Sequence, residues 1–572
     1  MLKKGEETLF DKDISIVLSG EAGQGLNTIE SLLITMLTRS GKQAFLSKEF
    51  MSRVRGGNNT TEIRVSSESV YAFVNRIDLL IVLSRNGMER LENRLSPATL
   101  IIGEAGNIPQ KYADIGGRII PIDFSAALAD LGGSLFLNSY IFGMLAGLLS
   151  CNSEVAKSLI QDQFQAKGDD IVGKNLLAFQ RGSELSGNMA IPISIETNAS
   201  VVDRIALNGT EAVAIGAIAG GCNFIASYPM SPSTGVLVNL AKRSEAYDIA
   251  VEQAEDEIAA INMMLGAWYA GARAMVTTSG GGFALMTEGM SLAGCIESPA
   301  VIHLAQRPGP ATGLPTRTEQ GDLNLALYAG HGDYPRVIYA PGHLADGVML
   351  SRKAFEVADQ YQVPVILLTD QFFLDSIGTI DKSIFSESTL VNHIVETAPD
   401  YNRYAMTPSG ISPRGIPGYG HGLVCVDSDE HSENGRITED FNIRTAMVDK
   451  RMRKLAEYED IEPELIGHPD YSILIIGWGS TYGVICEALK RLQRSDIAFA
   501  YFKQVYPLPT GTKELMERAK IRISVENNAT GQFAGLLKME TLLDIQFNLL
   551  KYNGMPFSVE ELTTRISGTL SI

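Results

Sequence analysis

Two prolines, a tyrosine and three hydroxyls are gathered in the segment Tyr228-Pro229-Met230-Ser231-Pro232-Ser233-Thr234. The segment follows an apolar, strand-like run and opens a helix-like one, so its hydroxyls stand where a helix start offers unpaired N–H groups. Such a place suits an anion, a carboxylate for instance. The same spacing also reads as simple capping, with Ser231 as the cap and Pro232 in the first helical position. Downstream, Glu252, Glu255, Asp256 and Glu257 crowd the start of another predicted helix. An acidic first turn complements the helix dipole wherever it occurs. This helix continues through Ala259, Ala260, Met263, Leu265, Gly266 and Ala270. With so little polar surface it is expected to be buried, leaving one carboxylate against an apolar interface. Ser279-Gly280-Gly281-Gly282 permits close approach of backbone to a ligand, or forms a tight turn. The run Arg307-Pro308-Gly309-Pro310-Ala311-Thr312-Gly313-Leu314-Pro315-Thr316-Arg317 is stiffened by proline and rich in donors. Arg317, beside Thr316, can grip a carboxylate in a bidentate fork, although a surface position is the commoner fate of an arginine.

A further candidate lies near the N-terminus, in Gly20-Glu21-Ala22-Gly23-Gln24-Gly25. It departs from the dinucleotide fingerprint G-x-G-x-x-G, whose second glycine falls at Ala22, so NAD is weakly supported. Gly23, Gln24 and Gly25 can still cradle a phosphate at a helix start. Arg55-Gly56-Gly57 places a basic group beside flexible backbone, which fits a phosphate-rich ligand such as coenzyme A and fits a surface loop equally.

The elements that must position these residues follow an α/β pattern. Residues 1–190 open with a strand over 14–18 and a helix bearing Ile29, Leu32, Leu33, Met36 and Leu37 at helical spacing. Further strands are predicted at 62–65, 79–83 and 99–102. The apolar run 135–149 reads as a buried helix, and residues 180–200, with Gly, Asn, Ser and Pro192, read as a linker. Residues 203–395 alternate strands (223–227, 272–277, 300–304, 337–340, 363–369) with helices, the pattern of a doubly wound parallel sheet. Its ligand-bearing loops belong at the carboxyl ends of the strands. Residues 396–465 read as an extended connection with a helix over 442–458. Residues 466–572 form a smaller α/β domain.

Composition narrows the function classes. At ~100–200 residues per domain, 572 residues suit about three domains. The net charge of −18 lacks the basic footprint of a nucleic-acid binder. No apolar run approaches the ~20 residues that span a bilayer. The charged residues 1–13 do not resemble a signal peptide, so a cytoplasmic location is expected. Five scattered cysteines (Cys151, Cys222, Cys295, Cys425, Cys486) without a CxxC pair argue for reduced thiols, not for a metal site held by this chain alone.

Taken together, these segments resemble the 2-oxoacid:ferredoxin oxidoreductase family over most of the chain. Residues 20–25, and Arg55-Gly56-Gly57 ahead of Arg64-Val65-Ser66, are similar to the family's gamma domain. Residues 228–234 are similar to its Tyr-Pro-Ile-Thr-Pro-Ser/Thr motif, with Met230 and Ser231 in place of Ile and Thr. Gly479-Ser480 and Tyr506-Pro507-Leu508-Pro509 resemble its transketolase-like C-terminal domain. A fused gamma–alpha chain is similar to those that pair with a small beta subunit, often acting on 2-oxoglutarate.

The resemblance implies three α/β domains: a gamma-type domain, a doubly wound domain for the pyrimidine end of thiamine diphosphate, and the transketolase-like domain. It implies that Glu257, with Glu255 as the alternative, pairs with the aminopyrimidine ring, near Tyr228 and Pro229. It also implies that Ser231 meets the substrate carboxylate or keto oxygen, and that Arg317, beside Thr316, grips the carboxylate. Coenzyme A is implied as co-substrate, with Gly23, Gln24, Gly25, Arg55 and Gly56 as candidates to hold it. The chain lacks a Gly-Asp-Gly…Asn segment and a cluster-binding cysteine set. The resemblance implies that magnesium and a 4Fe–4S cluster belong to the beta subunit, with ferredoxin as acceptor and an alpha2beta2 assembly. The implied reaction is oxidative decarboxylation of 2-oxoglutarate to succinyl-CoA, or its reverse. Pyruvate, branched-chain or aryl 2-oxoacids are alternative substrates, and a non-catalytic coenzyme A-binding scaffold is an alternative of another class.

Overall fold

The computed structural model describes residues 12–21, 26–50, 57–115, 118–189, 191–385 and 389–571. The chain divides into two compact units: Met1–Asn208 with Asp375–Ser383 and Ser558–Glu561, and Gly209–Leu374 with Ile384–Phe557 and Leu562–Ile572.

The first unit is built on an eight-stranded sheet. Arg118–Pro121, Leu100–Gly103, Leu79–Val82 and Asp13–Glu21 run parallel. Asn58–Ser66, Gln43–Glu49, Ile377–Ile380 and Ile205–Asn208 then continue it in antiparallel fashion. Strands buried on both faces read as continuous apolar runs, which is why Leu79–Val82 and Leu100–Gly103 were legible. The last two strands come from beyond residue 200, so the unit is not one stretch of sequence.

The apolar run expected to be a buried helix is the helix Leu137–Leu148. The expected linker is corrected in part: Asp169–Met189 is a single helix of 21 residues packed on it. Its small residues make close helix–helix contact. A Cβ on Gly182 would lie 1.9 Å from the Tyr140 carbonyl oxygen, and one on Gly143 2.0 Å from that of Phe179. Composition alone cannot separate glycines that loosen a chain from glycines that let two helices touch.

The second unit holds a seven-stranded and a five-stranded sheet over one hydrophobic core. In the larger sheet the order is Gln504–Tyr506, Val337–Tyr339, Pro364–Asp370, Ala300–Gln306, Ala274–Thr278, Phe224–Ser227, Ala250–Gln253. All neighbours are parallel except the first pair. The smaller sheet runs Glu464–Gly467, Ile497–Phe502, Ile473–Trp478, Ile521–Glu526, Phe547–Leu550, with only the first strand antiparallel.

The connection over residues 396–465 contains the helix Phe441–Arg453 and runs into the strand Glu464–Gly467. A buried ion cluster fastens it: Glu297 accepts from Lys450 Nζ and Lys454 Nζ at 2.7 Å each. Burial raises the Glu297 carboxyl, but Lys454, Lys450 and Arg403 outweigh it and hold the carboxyl down at about 2.

Candidate active site

The polar groups of interest gather at the carboxyl ends of the parallel strands, where an open α/β sheet exposes loop backbone and helix starts. Strand Phe224–Ser227 ends at a buried serine whose Oγ donates to the Thr277 carbonyl at 2.6 Å, tying the loop base to the next strand. Tyr228 is exposed and Pro229 half-buried. The following helix is Thr234–Ala241, so neither Ser231 nor Pro232 caps or enters it. Ser233 flanks that helix and its Oγ donates to the Met230 carbonyl at 2.7 Å. Ser231 instead sits exposed on the loop, and its carbonyl accepts from Arg307 Nη1 at 2.8 Å.

The acidic cluster resolves into distinct fates. Glu252 and Glu255 are exposed. Asp256 caps the helix Glu257–Tyr269, its side chain accepting from the Ala259 N–H at 2.7 Å. Only Glu257 of the four is buried, at 3% exposure, and its Oε1 has no hydrogen-bond partner among the described residues. A buried polar atom without a partner is costly, and such atoms mark places where another group completes the bonding.

Ser279-Gly280-Gly281-Gly282 is the first turn of a short helix, Gly280–Leu285, rather than a free loop. The glycines admit carboxylates against the backbone. A Cβ on Gly282 would lie 2.5 Å from Glu257 Oε1, and one on Gly280 2.5 Å from both Asp322 carboxylate oxygens. Ser279 Oγ and Asp322 Oδ2 are also buried without partners. Three orphaned polar atoms thus surround this one turn.

Asp322 and Arg307 are residues that sequence reasoning missed as site groups. Asp322 precedes the helix Leu323–Tyr328 and resembles an ordinary cap, yet its side chain makes no capping bond. Burial first, then the charge of Glu319, pushes its carboxyl up to about 7, against the pull of Arg307. Burial in turn lowers Arg307 from its ordinary value, and Asp322 opposes that. Arg317 lies elsewhere on the same loop: its Nη1 is 3.7 Å from Met555 Sδ, and Gly554 packs on its stem. Thr316 beside it is half-buried. The structure therefore brings Ser231 together with Arg307.

Two neutral residues hold this edge in place. His303, fully buried, bridges Thr277 Oγ1 at 2.7 Å and Thr369 Oγ1 at 2.8 Å across three strands. Burial drives its imidazole down to about 3, so it stays uncharged. Gln320 fixes the far end of the arginine-bearing loop, donating to the Trp478 carbonyl at 2.9 Å and accepting from the Asn527 N–H at 2.9 Å. Gly23, Gln24, Gly25, Arg55 and Gly56 lie outside the described residues.

Comparison with known proteins places the chain in a family. Residues 215–450 match the family model described as pyruvate flavodoxin/ferredoxin oxidoreductase, thiamine diphosphate-binding, and residues 15–185 match pyruvate ferredoxin/flavodoxin oxidoreductase. The class is thus a thiamine diphosphate-binding oxidoreductase. The 2-oxoglutarate synthase subunit KorA of Archaeoglobus fulgidus is 32% identical, the match covering 64% of this chain and 99% of that one. The 2-oxoacid:ferredoxin oxidoreductase alpha subunit of a Sulfolobus species is 29% identical over 96% of both chains. A solved structure is similar over 98% of this chain and 99% of its own, at 29% identity and a TM-score of 0.91. It is the 2-oxoglutarate:ferredoxin oxidoreductase from Magnetococcus marinus with 2-oxoglutarate, coenzyme A and succinyl-CoA bound. The chain belongs to the 2-oxoacid:ferredoxin oxidoreductase family, as an alpha subunit. Membership in this enzyme family sets aside the non-catalytic scaffold reading.

Proposed function

We propose that the chain is the alpha subunit of a 2-oxoglutarate:ferredoxin oxidoreductase. The reaction is coenzyme A-dependent oxidative decarboxylation of 2-oxoglutarate to succinyl-CoA, or the reverse, with ferredoxin carrying the electrons. The observation that carries this reading is the buried carboxylate of Glu257, whose Oε1 is orphaned at the carboxyl edge of the matched thiamine diphosphate-binding domain. That donor set fits the aminopyrimidine end of the cofactor, with Tyr228 and Pro229 alongside. Bound thiamine diphosphate supplies the electron sink that lets a 2-oxoacid lose carbon dioxide. The residues of this chain do the rest by position. Glu257 holds or accepts a proton at Oε1 in a water-poor setting. Ser231 presents its hydroxyl to the substrate, and Arg307, aligned by the Ser231 carbonyl, supplies the fork for the 2-oxo carboxylate. Arg317 and Thr316, further along the loop, remain the alternative carboxylate grip.

The choice of 2-oxoglutarate is supported by likeness to the Magnetococcus enzyme over nearly the whole chain. The Sulfolobus relative, named only for 2-oxoacids, supports a wider range that includes pyruvate. A small beta subunit carrying magnesium and a 4Fe–4S cluster completes the site in an alpha2beta2 assembly. Coenzyme A is assigned to the gamma-type region through Gly23, Gln24, Gly25, Arg55 and Gly56. A cytoplasmic location fits the family; among the described residues, no helix is long and apolar enough to cross a membrane.

The test is anaerobic turnover by the co-purified complex with 2-oxoglutarate, coenzyme A and a viologen dye. Glu257→Gln is expected to lower kcat by about 10²–10⁴-fold, the range of general acid–base contributions. Turnover that survives this change refutes the assignment of Glu257, and equal use of pyruvate refutes the preference for 2-oxoglutarate.

A further inference from the structure

We infer that Asp322 is a positioning residue of the 2-oxoacid subsite: it steadies Arg307 while ionised and takes up one proton from solvent when a substrate carboxylate arrives. The inference rests on the reading of Ser231 and Arg307 as the carboxylate grip.

The geometry places Asp322 at the right spot. Arg307 leaves the end of strand Ala300–Gln306 and reaches the Ser231 carbonyl on the loop after Phe224–Ser227. In the sheet order it must cross the end of the intervening strand Ala274–Thr278, directly before Gly280. Asp322 lies against that same Gly280, close enough that no Cβ fits between them. Its backbone N–H donates to Gln306 Oε1 at 3.0 Å, which holds the main chain at this position. Its Oδ2 is buried and has no hydrogen-bond partner among the described residues.

The surroundings explain why this carboxyl can change charge. From its own loop, Arg307 and Glu319 act on it with opposite sign. The strand behind it offers neutral Gln306. The helix start beneath it offers Ser279 and glycine, with Glu257 two residues further along at Gly282. The helix Gln532–Thr541 offers neutral Gln532, which donates to the Gly321 carbonyl at 2.8 Å. Burial first, then one nearby anion, opposed by one cation, leave the carboxyl poised at about 7: neutral below, ionised above.

A substrate carboxylate entering beside Arg307 adds a second negative charge and competes for the same cation. Like charge disfavours the ionised form of Asp322, so the proton balance is –COO⁻ plus H⁺ from solvent giving –COOH. Substrate then binds well below the midpoint. Its affinity falls about tenfold per pH unit above it, because each binding event must draw a proton.

The test uses the complete complex stripped of thiamine diphosphate, so that 2-oxoglutarate and pyruvate bind without turning over. Calorimetry from pH 6 to 8.5, in buffers of different ionisation enthalpy, counts protons taken up. Wild-type complex is expected to take up close to one proton at pH 8, with affinity about 16-fold weaker at pH 8.5 than at pH 7. Asp322→Asn removes both the uptake and the slope, and Glu319→Gln moves the midpoint to lower pH. In the loaded enzyme the same dependence belongs to KM rather than kcat. Substrate binding with no proton uptake, or uptake that persists in Asp322→Asn, overturns this inference and leaves the assigned function standing. Failure of both acids to bind at any pH overturns the 2-oxoacid subsite itself and this inference with it.

Discussion

Replacing Gly282 by alanine tests the site at the point where backbone and carboxylate touch. The new Cβ would lie 2.3 Å from Thr278 Oγ1, 2.5 Å from Glu257 Oε1 and 2.7 Å from Glu257 Cγ, whereas ordinary contact begins near 3.4 Å. Glu257 must therefore retreat by about 1 Å, because Thr278 lies in a fully buried strand and cannot yield. Overpacking of this kind costs about 1–3 kcal/mol. A displacement near 1 Å in a group that must meet a reacting centre costs about 10²-fold in rate. Gly281→Ala is the internal control, since no atom lies within 4 Å of its added Cβ. It is expected to be neutral or to stabilise by up to about 1 kcal/mol, as removal of a helical glycine does. The assay is viologen reduction by the anaerobic complex, read beside thermal unfolding of the same preparations. Gly282→Ala with lowered Tm but full kcat would show that Glu257 moves without consequence and is not in the chemistry. Wild-type values for both quantities would show that the close packing of Gly282 on Glu257 is not real.

Arg307→Lys is expected to raise KM for the 2-oxoacid at least tenfold, because an ammonium cannot reproduce the guanidinium fork. Arg317→Lys should raise it less, and a larger effect at Arg317 would reverse the assignment; steady-state kinetics on both variants decide. His303 gives a pH signature. Its imidazole, lowered by burial to about 3, stays neutral in the folded state while the unfolded chain protonates near 6.5. Stability from this site is thus fully present above pH 6.5 and is lost at about 1.4 kcal/mol per pH unit as pH falls toward 3. His303→Leu should flatten that part of the Tm–pH curve and lower Tm at pH 7.5, since Thr277 and Thr369 lose a partner. An unchanged acid slope would count against a neutral buried histidine. In the first unit, Gly182→Ala should destabilise the helix pair by at least about 1–3 kcal/mol, as its Cβ meets backbone rather than a flexible side chain. Limited proteolysis around residues 169–189 reads the effect, and resistance equal to wild type would refute the close packing.

Much of the sheet architecture is written in local pattern. Apolar runs such as Pro364–Asp370 and Ile497–Phe502, flanked by helical periodicity, are recognisable because buried parallel strands need apolar residues on both faces. That one carboxylate of the acidic cluster would be buried was legible for a related reason: a helix with almost no polar surface leaves part of its first turn against an interface. The helix Leu344–Tyr361 follows from local signals, its periodicity and its end at Gln362.

What tertiary structure alone decided is non-local. Glu252, Glu255 and Asp256 share the local pattern of Glu257, and only the neighbouring Ser279–Gly282 turn selects which of them is buried against backbone. Arg307 and Arg317 are equivalent by composition. The crossing of one strand end to reach Ser231 separates them, while Met555 and Gly554, more than two hundred residues away, receive the other. Asp322 looks like a cap until its partners are known, and its charge state then depends on burial first, then on Glu319 and Arg307. The strand Ile377–Ile380 joins a sheet that begins at Asp13 because the edge left open by Gln43–Glu49 offers unpaired backbone groups, and no window of sequence reports a pairing at such separation.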